Sequence, residues 1–484
     1  MVFDGLEPVQ VWAYFDKICK IPRLSKNEDK IRKYLLDFAD SHKLESKLDK
    51  AGNVLIIKPA HTSCKNRKST LLQSHMDMVG EKDASTDHDW EKDPIKPFIN
   101  GEWIMAKETT LGADDGIGIA AQLALLADDK IKTGRVECLF TVDEETGMTG
   151  VTELEPGFFS SRILINLDSE DEGELFIGCA GGIDTVAEIT CKREDTNGSC
   201  GGLHISVTGL QGGHSGDEIH KGYANSVKLM NGLLQILSND YDIRIAVFNG
   251  GNLRNAIPRE AFADICCEQK FTDDIKKSIS EYLKEIKSRY KDIEPDIDIS
   301  VSDTAPPESV MDKNSQVSLL KALDDCPHGV IAWSNDMEGL VETSTNLASV
   351  KFINDHIKIV TSQRSSVDSS KKNIAAKIEK IFTENNAAVR HSDGYPGWKP
   401  NTDSEILRIT TESYIRLFNT EPVVRAIHAG LECGLILEKY PDLDMISFGP
   451  TILGAHTPQE RLNIETTKKF WDLLLDVLFN IPEN

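Results

Sequence analysis

The residues in this sequence that are best placed for chemistry are acids and histidines that follow short apolar runs. Asp143, Glu144 and Glu145 are consecutive and come directly after the run CLFTV. Like charges this close repel, and each raises the pKa of its neighbours. A turn needs at most one acid, so the triplet indicates a nearby positive ion, which makes adjacent carboxylates favourable.

Similar side chains follow other apolar runs far apart in the sequence. The set comprises His75 and Asp77 after STLLQS, Asp114 in TTLGADDGIG, Asp168 after RILINL, and His456 after LDMISFGPTILGA. In open α/β sheets, active sites lie beyond the carboxyl ends of the strands. We therefore expect these side chains to meet at one edge of a sheet.

Two histidines and three carboxylates suit a site for two divalent cations. Imidazole and carboxylate together favour zinc, with manganese or cobalt as alternatives. A bridging carboxylate offsets the repulsion between two ions roughly 3.5–4 Å apart. Each motif alone has an ordinary explanation, since Asp114 and Asp115 can cap a helix. The combination of five positions favours the metal site.

The pattern of apolar residues predicts the elements that would position this site. Strands alternating with helices near both ends of the chain predict an α/β sheet with buried strands. Between them, a β-α-β-β-α-β order and a second set of elements after Asn314 indicate a split sandwich. The sequence thus predicts an α/β catalytic domain over residues 1–181 and 395–484, split by an inserted α+β domain over 182–394.

Composition excludes several classes of partner. The chain has 484 residues, too many for one hydrophobic core, and a formal net charge of −24, which argues against nucleic acid or anionic membranes as partners. The first residues lack a signal-peptide pattern, and no apolar run approaches the roughly 18 residues that a membrane span needs. We therefore expect a cytoplasmic protein whose ten cysteines are reduced thiols.

Several sequence blocks resemble a known family. LLQSHMDMV, TTLGADDGIGIA, TVDEETGMTG, INLDSED and SFGPTILGAHTPQERLNI resemble the metal-site blocks of cocatalytic dizinc aminopeptidases, dipeptidases and aminoacylases. GLQGGHSGDEIHKGYANS, NLRNAIPRE, EGLVETSTNLA, SQRSSVDS, DGYPGWKPN and IHAGLECG resemble the aminoacyl-histidine (Xaa-His, carnosine-cleaving) dipeptidase branch. The resemblance covers nearly the whole chain and implies a zinc-aminopeptidase-like domain with an inserted lid that has ferredoxin-like halves.

The resemblance implies a role for each of the five metal-site positions. His75 and Asp168 would bind one ion, and Glu145 and His456 would bind the second. Asp114 would bridge both ions. Zinc is the first expectation for the metal pair.

The resemblance also implies the groups that act on the substrate. Asp77 would fix the tautomer of His75, and Glu144 would be the general base. His214, in GGHSG, matches a lid histidine that stabilises the oxyanion. Arg364 would clamp the carboxylate of the substrate bidentately.

The remaining positions keep open alternatives. Asn255, Asn346 and His428 are further candidates for the substrate pocket. Glu432 could bind a substrate amine or order its loop. Asp143 is assigned no role beyond ending the strand.

The implied activity is hydrolysis of dipeptides, either Xaa-His or a broader range, by a hydroxide that bridges two ions. Two alternatives stay open: a deacylase of N-acyl amino acids with the same fold, and a non-catalytic protein that binds peptides or amino acids. The inserted lid would close over a small dipeptide. The sequence does not decide whether a homodimer supplies part of the site.

Overall fold

The structure is a computed structural model that describes residues 2–196, 200–216, 218–428 and 430–484. The chain divides into two compact units. Unit 1 comprises Met1–Gly178, Pro400–Ala426 and Leu431–Asn484, and unit 2 comprises Cys179–Lys399 and Ile427–Gly430. None of the helices given below is both long and apolar enough to cross a membrane.

Helices occur in both units. In the described ranges they are α1 (Val9–Ile18), α2 (Asp29–Ser41), α3 (Ala113–Ala127), α4 (Glu144–Gly147), α5 (Thr149–Glu153), α6 (Ser226–Tyr241), α7 (Thr272–Arg289), α8 (Lys313–Asp325), α9 (Asp368–Glu384), α10 (Glu405–Phe418), α11 (Glu432–Lys439) and α12 (Ile464–Asn480). Short 3-10 turns cover Thr62–Cys64, Ile219–Lys221 and Gln269–Phe271.

Strands make up the rest of the regular structure. They are β1 (Glu45–Leu48), β2 (Val54–Lys58), β3 (Thr70–His75), β4 (Pro97–Asn100), β5 (Trp103–Ala106), β6 (Val136–Thr141), β7 (Ile163–Asn166), β8 (Glu174–Cys179), β9 (Gly181–Thr190), β10 (Arg193–Asp195), β11 (Gly201–Thr208), β12 (Gly213–His214), β13 (Arg244–Gly250), β14 (Ala256–Ile257), β15 (Ala261–Cys267), β16 (Asp298–Thr304), β17 (Ser309–Met311), β18 (Gly329–Trp333), β19 (Val341–Ile353), β20 (His356–Ser365), β21 (Ala387–His391), β22 (Val423–Ile427), β23 (Asp444–Ser447), β24 (Ile452–Leu453) and β25 (Arg461–Asn463).

Unit 1 is built on an eight-stranded mixed sheet with the order β1-β2-β6-β3-β7-β23-β8-β22. Its four central strands, β6, β3, β7 and β23, are parallel. Every residue of β3 and β6 is buried, which explains why both sequences read as continuous runs rather than as alternating patterns. The predicted α/β class is confirmed. A second sheet has the order β24-β25-β5-β4.

Helix α3 anchors the site to the core of unit 1. Its sequence is apolar on almost every side, and it packs against α1 and β3. Lys58 on β2 donates hydrogen bonds to the carbonyl oxygens of Leu125 and Asp128, at 2.9 Å each, and so caps the end of the helix. With that end fixed and the body buried, the first turn of α3 holds Asp114 in place.

Unit 2 contains two ferredoxin-like halves in one sheet. The first half, β11-α6-β13-β15-α7-β16, has the strand order β16-β11-β15-β13. The second has the order β19-β20-β9-β21, and Gly250 on β13 pairs with Val350 on β19 to join the halves. The sequence analysis placed the second set wholly after Asn314. Its first strand is instead β9, which precedes the first half in the chain.

The prediction of ten reduced thiols is wrong for two of them. Cys200 and Cys266 form a disulfide with their Cα atoms 5.8 Å apart. The pairing of β11 with β15 sets Gly202 opposite Cys266 and thereby brings Cys200 close. Spacing along the chain gave no sign of this pair, because 66 positions separate its members.

The disulfide has consequences for the number of reactive thiols and for the free energy of unfolding that can be measured. Unreduced protein in denaturant should react with a thiol reagent at the eight cysteines outside the Cys200–Cys266 pair. Reduction should lower the free energy of unfolding by about 2–4 kcal/mol, because the bridge constrains the unfolded chain. In a Cys200→Ser variant, a reductant should have no such effect. Ten reactive thiols before reduction would contradict the pairing.

Candidate active site

The predicted acids and histidines of unit 1 lie where the central parallel strands end. His75 is the last residue of β3, and Glu144 and Glu145 begin α4 just after β6. Asp168 follows the end of β7 by two residues, and Asp114 lies in the first turn of α3. The carboxyl edge of the sheet therefore gathers these side chains from segments far apart in sequence.

The carboxylate of Asp114 lies between two pairs of side chains. Its Oδ1 is 2.9 Å from His75 Nε2, and its Oδ2 is 3.1 Å from His456 Nε2. Asp168 Oδ1 lies 3.4 Å from the same His75 nitrogen. Glu145 Oε2 lies 3.0 Å from the same His456 nitrogen. Each oxygen of Asp114 thus faces one histidine–carboxylate pair.

The chemistry of these five groups fits two divalent cations. Three carboxylates and two imidazoles form a hard-to-borderline donor set of the kind that zinc, manganese and cobalt accept. Glu145 Oε1 is buried and has no hydrogen-bond partner, although a buried acceptor normally has one. A cation held by the set would satisfy it. His75, Asp114 and Glu145 offer ligand atoms within 4.8 Å of one another.

Asp77 links the histidine of the site to the turn that carries the acids. Its Oδ1 is 3.4 Å from His75 Nδ1, and its other oxygen accepts a 2.7 Å hydrogen bond from the Ser25 hydroxyl. The backbone N–H groups of Glu144 and Glu145 donate to the two oxygens of Asp77 at 3.1 and 3.2 Å. One buried carboxylate thus fixes the position of both segments.

Asp143 organises the acidic turn, a role that the sequence analysis did not assign to it. The residue has a φ of 55°, in the left-handed region, and its carboxylate accepts hydrogen bonds from the hydroxyls of Thr146 and Thr149. Its own N–H donates to Glu28 Oε1 at 3.1 Å. These hydrogen bonds fix the turn that positions Glu144, the next residue. The threonines at short spacing after the acids were the available signal.

A row of buried polar side chains crosses the sheet beneath these ligands. Glu432 is 0% exposed, and its Oε2 accepts from Gln73 Nε2 at 2.6 Å and from the Thr141 hydroxyl at 2.8 Å. Gln73 Oε1 accepts from Asn166 at 2.6 Å, and Asn166 accepts from Ser447 at 2.5 Å. Sequence reasoning missed these strand residues, although polar side chains in otherwise apolar strands were a visible sign.

Burial and the neighbouring charges shift the pKa values of the site. Burial raises the pKa of Glu144 well above its ordinary value, and burial raises that of Asp168 to about 7. Hydrogen bonds to Asp114 and Glu145 raise the pKa of His456 to about 11. Burial alone would raise the pKa of Asp77, but the hydrogen bond and charge of His75 lower it to about 2.

The second aspartate caps the regular part of α3, since Asp114 and Asp115 themselves have non-helical backbone angles. Asp115 Oδ1 accepts a 3.1 Å hydrogen bond from the N–H of Gly118, three residues later. This bond satisfies one of the free donors at the start of the helix. The two neighbouring aspartates therefore differ in position, since Asp115 caps the helix and Asp114 faces the histidines.

Unit 2 brings together the residues predicted to bind substrate. Arg364 on β20 is buried, its Nη1 donates to the carbonyl oxygen of His428 at 3.4 Å, and its Nε has no hydrogen-bond partner. His428 Nε2 lies 2.7 Å from the hydroxyl of Ser344, which is the cross-strand neighbour of Arg364. The Nε donor of the arginine is therefore available to an acceptor within this unit.

The two predicted asparagines and the predicted histidine lie on or beside neighbouring strands of the same unit. His214 on β12 pairs with Ala256 on β14, whose carbonyl oxygen accepts a 2.8 Å hydrogen bond from Asn346. The carbonyl oxygen of Asn255 accepts from the N–H of Ser215 at 2.8 Å. The side-chain oxygen of Asn346 is buried without a partner.

A glycine keeps the space between these groups open. A Cβ atom on Gly216 would lie 3.1 Å from Arg364 Nη1 and 3.1 Å from His214 Cε1. It would also lie 2.4 Å from the carbonyl oxygen of His428, which is closer than real Cβ contacts allow. The sequence analysis quoted GGHSG for its histidine but did not identify the role of this final glycine.

Comparison with known proteins identifies the family. The chain belongs to peptidase family M20/M25/M40, whose model matches residues 71–480. The resemblance inferred from the sequence blocks is therefore confirmed.

Two relatives match over nearly the full length of the chain. A cytosol non-specific dipeptidase of Escherichia coli (strain K12) is 40% identical over 477 residues, which is 99% of this chain and 98% of that protein. The crystal structure of aminoacylhistidine dipeptidase from Vibrio alginolyticus superposes with a TM-score of 0.94 at 41% identity and covers 100% of this chain and 98% of its own. A tripeptidase from Staphylococcus aureus, 16% identical with a TM-score of 0.57 and 98% coverage of both chains, shares the fold.

The electrostatics of the site predict that metal binding releases protons. Although burial lowers the pKa of His75, the charge of Asp168 and hydrogen bonds to neighbouring carboxylates raise it, and hydrogen bonds to Asp114 and Glu145 raise that of His456. These shifts favour the protonated rings in the metal-free protein, whereas a metal ion binds only the neutral ring. Affinity for Mn²⁺ should therefore rise with pH. Calorimetric titration of chelator-treated protein in buffers of different ionisation enthalpy should show proton release. A heat of binding that does not depend on the buffer would contradict this.

Proposed function

We propose that this protein is a metal-dependent dipeptidase that hydrolyses the peptide bond of dipeptides, with Xaa-His or broader specificity. The observation that carries the proposal is the Asp114 carboxylate, which lies between two histidine–carboxylate pairs in a chain of a peptidase family. Two relatives of nearly equal length are named as dipeptidases. The names of the two relatives and the set of metal-binding side chains both favour dipeptide hydrolysis.

Two divalent ions would be held by five side chains. His75 and Asp168 would hold one ion, Glu145 and His456 would hold the other, and Asp114 would contribute to both. Zinc is proposed first, with manganese or cobalt as alternatives. When bound, the ions would polarise the peptide carbonyl and lower the pKa of the attacking water.

Glu144 is the proposed general base. It would take a proton from the water and pass it to the nitrogen of the leaving amine as the peptide bond breaks. Burial raises the pKa of its carboxyl group, which supports this role because a base with a raised pKa accepts a proton more readily near neutral pH. The hydrogen bond from its N–H to Asp77 orients the backbone that carries it.

Unit 2 supplies the proposed groups for recognising the substrate. Arg364 binds the terminal carboxylate of the dipeptide, and its unpartnered Nε supports this assignment. His214 donates to the oxyanion, and Asn255 and Asn346 contact the substrate. Glu432 keeps both proposed roles: the two hydrogen bonds that its Oε2 accepts from strand residues fit ordering, and its buried, unpartnered Oε1 is an acceptor for a substrate amine.

We propose a cellular compartment for this protein from the name of one relative. The Escherichia coli protein is named as a cytosol enzyme, and on that basis we assign this chain to the cytoplasm. A net charge of −24 is consistent with a small-molecule substrate rather than nucleic acid. Homodimer formation and lid closure stay predictions.

The general base can be tested by a single substitution. Glu144→Gln should retain metal and lose about 10²–10⁴-fold in kcat, because proton transfer from the water is lost. Metal content and dipeptide hydrolysis should be measured on the same preparation. Glu153→Gln, on the exposed surface of α5, is the control and should keep full activity.

The same assay separates the proposal from its nearest alternative. A panel of Ala-His, β-Ala-His, Ala-Ala and N-acetylated amino acids should show turnover of the dipeptides and little of the acetylated compounds. Preference for the acetylated compounds would indicate a deacylase. A fully active Glu144→Gln variant would refute its assignment as the base.

The carboxylate clamp makes a second prediction. Arg364→Ala should raise KM for dipeptides roughly 10–100-fold, as expected for loss of a charge-assisted hydrogen bond. Wild-type protein should discriminate strongly against dipeptide amides, and the variant should not. Arg390→Ala, at an exposed position on β21 of the same unit, should leave the KM for dipeptides and the discrimination against dipeptide amides unchanged. Equal discrimination by Arg364→Ala and wild-type protein would exclude the clamp.

A further inference from the structure

A buried glutamate outside the proposed mechanism holds the segment that leads into Asp114. Glu460 is 2% exposed, and its Oε2 accepts hydrogen bonds from the N–H groups of Leu111 and Gly112 at 2.7 and 2.9 Å. Its Oε1 accepts from Ala113 at 2.7 Å and from Asp114 at 3.3 Å. Four successive backbone donors thus converge on one carboxylate.

A buried arginine holds the same segment from its carbonyl side. Arg23 is 2% exposed, and its Nη2 donates to the carbonyl oxygen of Gly112 at 2.5 Å. Its Nη1 donates to the carbonyl oxygens of Met76, at 2.9 Å, and Asp77. Arg23 therefore joins the segment after His75 to the segment before Asp114.

Two glycines in TTLGADDGIG make room for this arginine. A Cβ atom on Gly112 would lie 2.8 Å from Arg23 Nη2, and one on Gly116 would lie 2.7 Å from the same nitrogen. Gly112 also has a φ of +68°, which L side chains rarely adopt. Gly112 and Gly116 thus both leave space that the Arg23 side chain occupies.

Charged groups are costly to bury, so their use here for backbone contacts requires a reason. An arginine or glutamate away from water is tolerated only when its hydrogen bonds are well satisfied. Charge-assisted hydrogen bonds are shorter and stronger than neutral ones, and they hold groups in narrower positions. Metal sites need such precision, because their ligands must be held within roughly 0.5 Å of the required geometry.

We infer that Glu460 and Arg23 are positioning residues, which together fix Asp114 relative to His75 and thereby set the affinity for the metal pair. The inference rests on the proposed metal site. Neither residue binds metal or touches the substrate in this account. Glu460 fixes the backbone that enters Asp114, and Arg23 fixes the distance between that backbone and the one that leaves His75.

The test is Glu460→Gln, with metal affinity as the main readout. The amide retains one acceptor oxygen and places an NH₂ group against N–H donors, so part of the four-bond contact is lost. We expect Mn²⁺ and Zn²⁺ affinity, measured by competition with a chelator, to fall roughly 10–100-fold, as when partners that orient metal ligands are removed. The kcat for Ala-His should fall, and KM should change little.

Glu137→Gln, on β6 of the eight-stranded sheet of unit 1, provides a matched control. Glu137 is 0% exposed, and it accepts hydrogen bonds from the N–H groups of Ser160 and Ser161 at 2.9 and 2.8 Å. It lies near the beginning of β6, whereas the proposed ligand Glu145 follows the end of that strand. Replacing the Glu137 carboxylate should lower the unfolding temperature and leave metal affinity at the wild-type value.

The outcomes separate this inference from the proposed function. Wild-type metal affinity in Glu460→Gln, or an equal loss in Glu137→Gln, would overturn the positioning role. Wild-type protein that binds no metal pair would instead overturn the proposed function. If Glu460→Gln does not fold, Arg23→Lys decides, because lysine retains the charge but lacks the fork that reaches three carbonyl groups. Reduced metal affinity in that variant supports the inference, and unchanged affinity overturns it.

Discussion

The carboxylate of Asp114 is the contact on which the rest of unit 1 depends. Its two oxygens each face a different histidine, at 2.9 and 3.1 Å, and each histidine has a second carboxylate beside it. Collecting acids in a buried place is unfavourable unless positive charge is also present. The fold must therefore hold these like-charged groups close together until a cation offsets their repulsion.

The scaffold meets this demand with strand ends and buried polar contacts. Parallel strands deliver side chains to one edge, and a row of hydrogen bonds through Gln73 and Asn166 fixes the strands beneath that edge. Charged groups at Arg23 and Glu460 then fix the loops above it. Such contacts cost more to bury than apolar ones, and what they contribute is a defined geometry.

Unit 2 carries chemistry of another kind. Its buried Arg364 has an Nε donor without a hydrogen-bond partner, whereas unit 1 gathers carboxylates and imidazoles that can act as acceptors for cations. Gly216 keeps the space beside this arginine free of a side chain. A dipeptide has both a carboxylate and a polarisable carbonyl. Dipeptide binding would therefore use the donors of unit 2 as well as the metal-binding groups of unit 1, whereas metal binding alone would use only the latter.

Local pattern determined the α/β class, the element order of the first half of unit 2 and the clustering of His75, Asp114 and Asp168, because strand periodicity and strand ends are visible in short stretches of sequence. Tertiary structure alone decided that β9 completes the second half and that Cys200 meets Cys266. It also decided that Glu432 is fully buried and that Glu460 binds four backbone amides. Each of these facts depends on which distant segments pack together, and hydrogen-bond partners hundreds of residues apart leave no periodic signal in the chain.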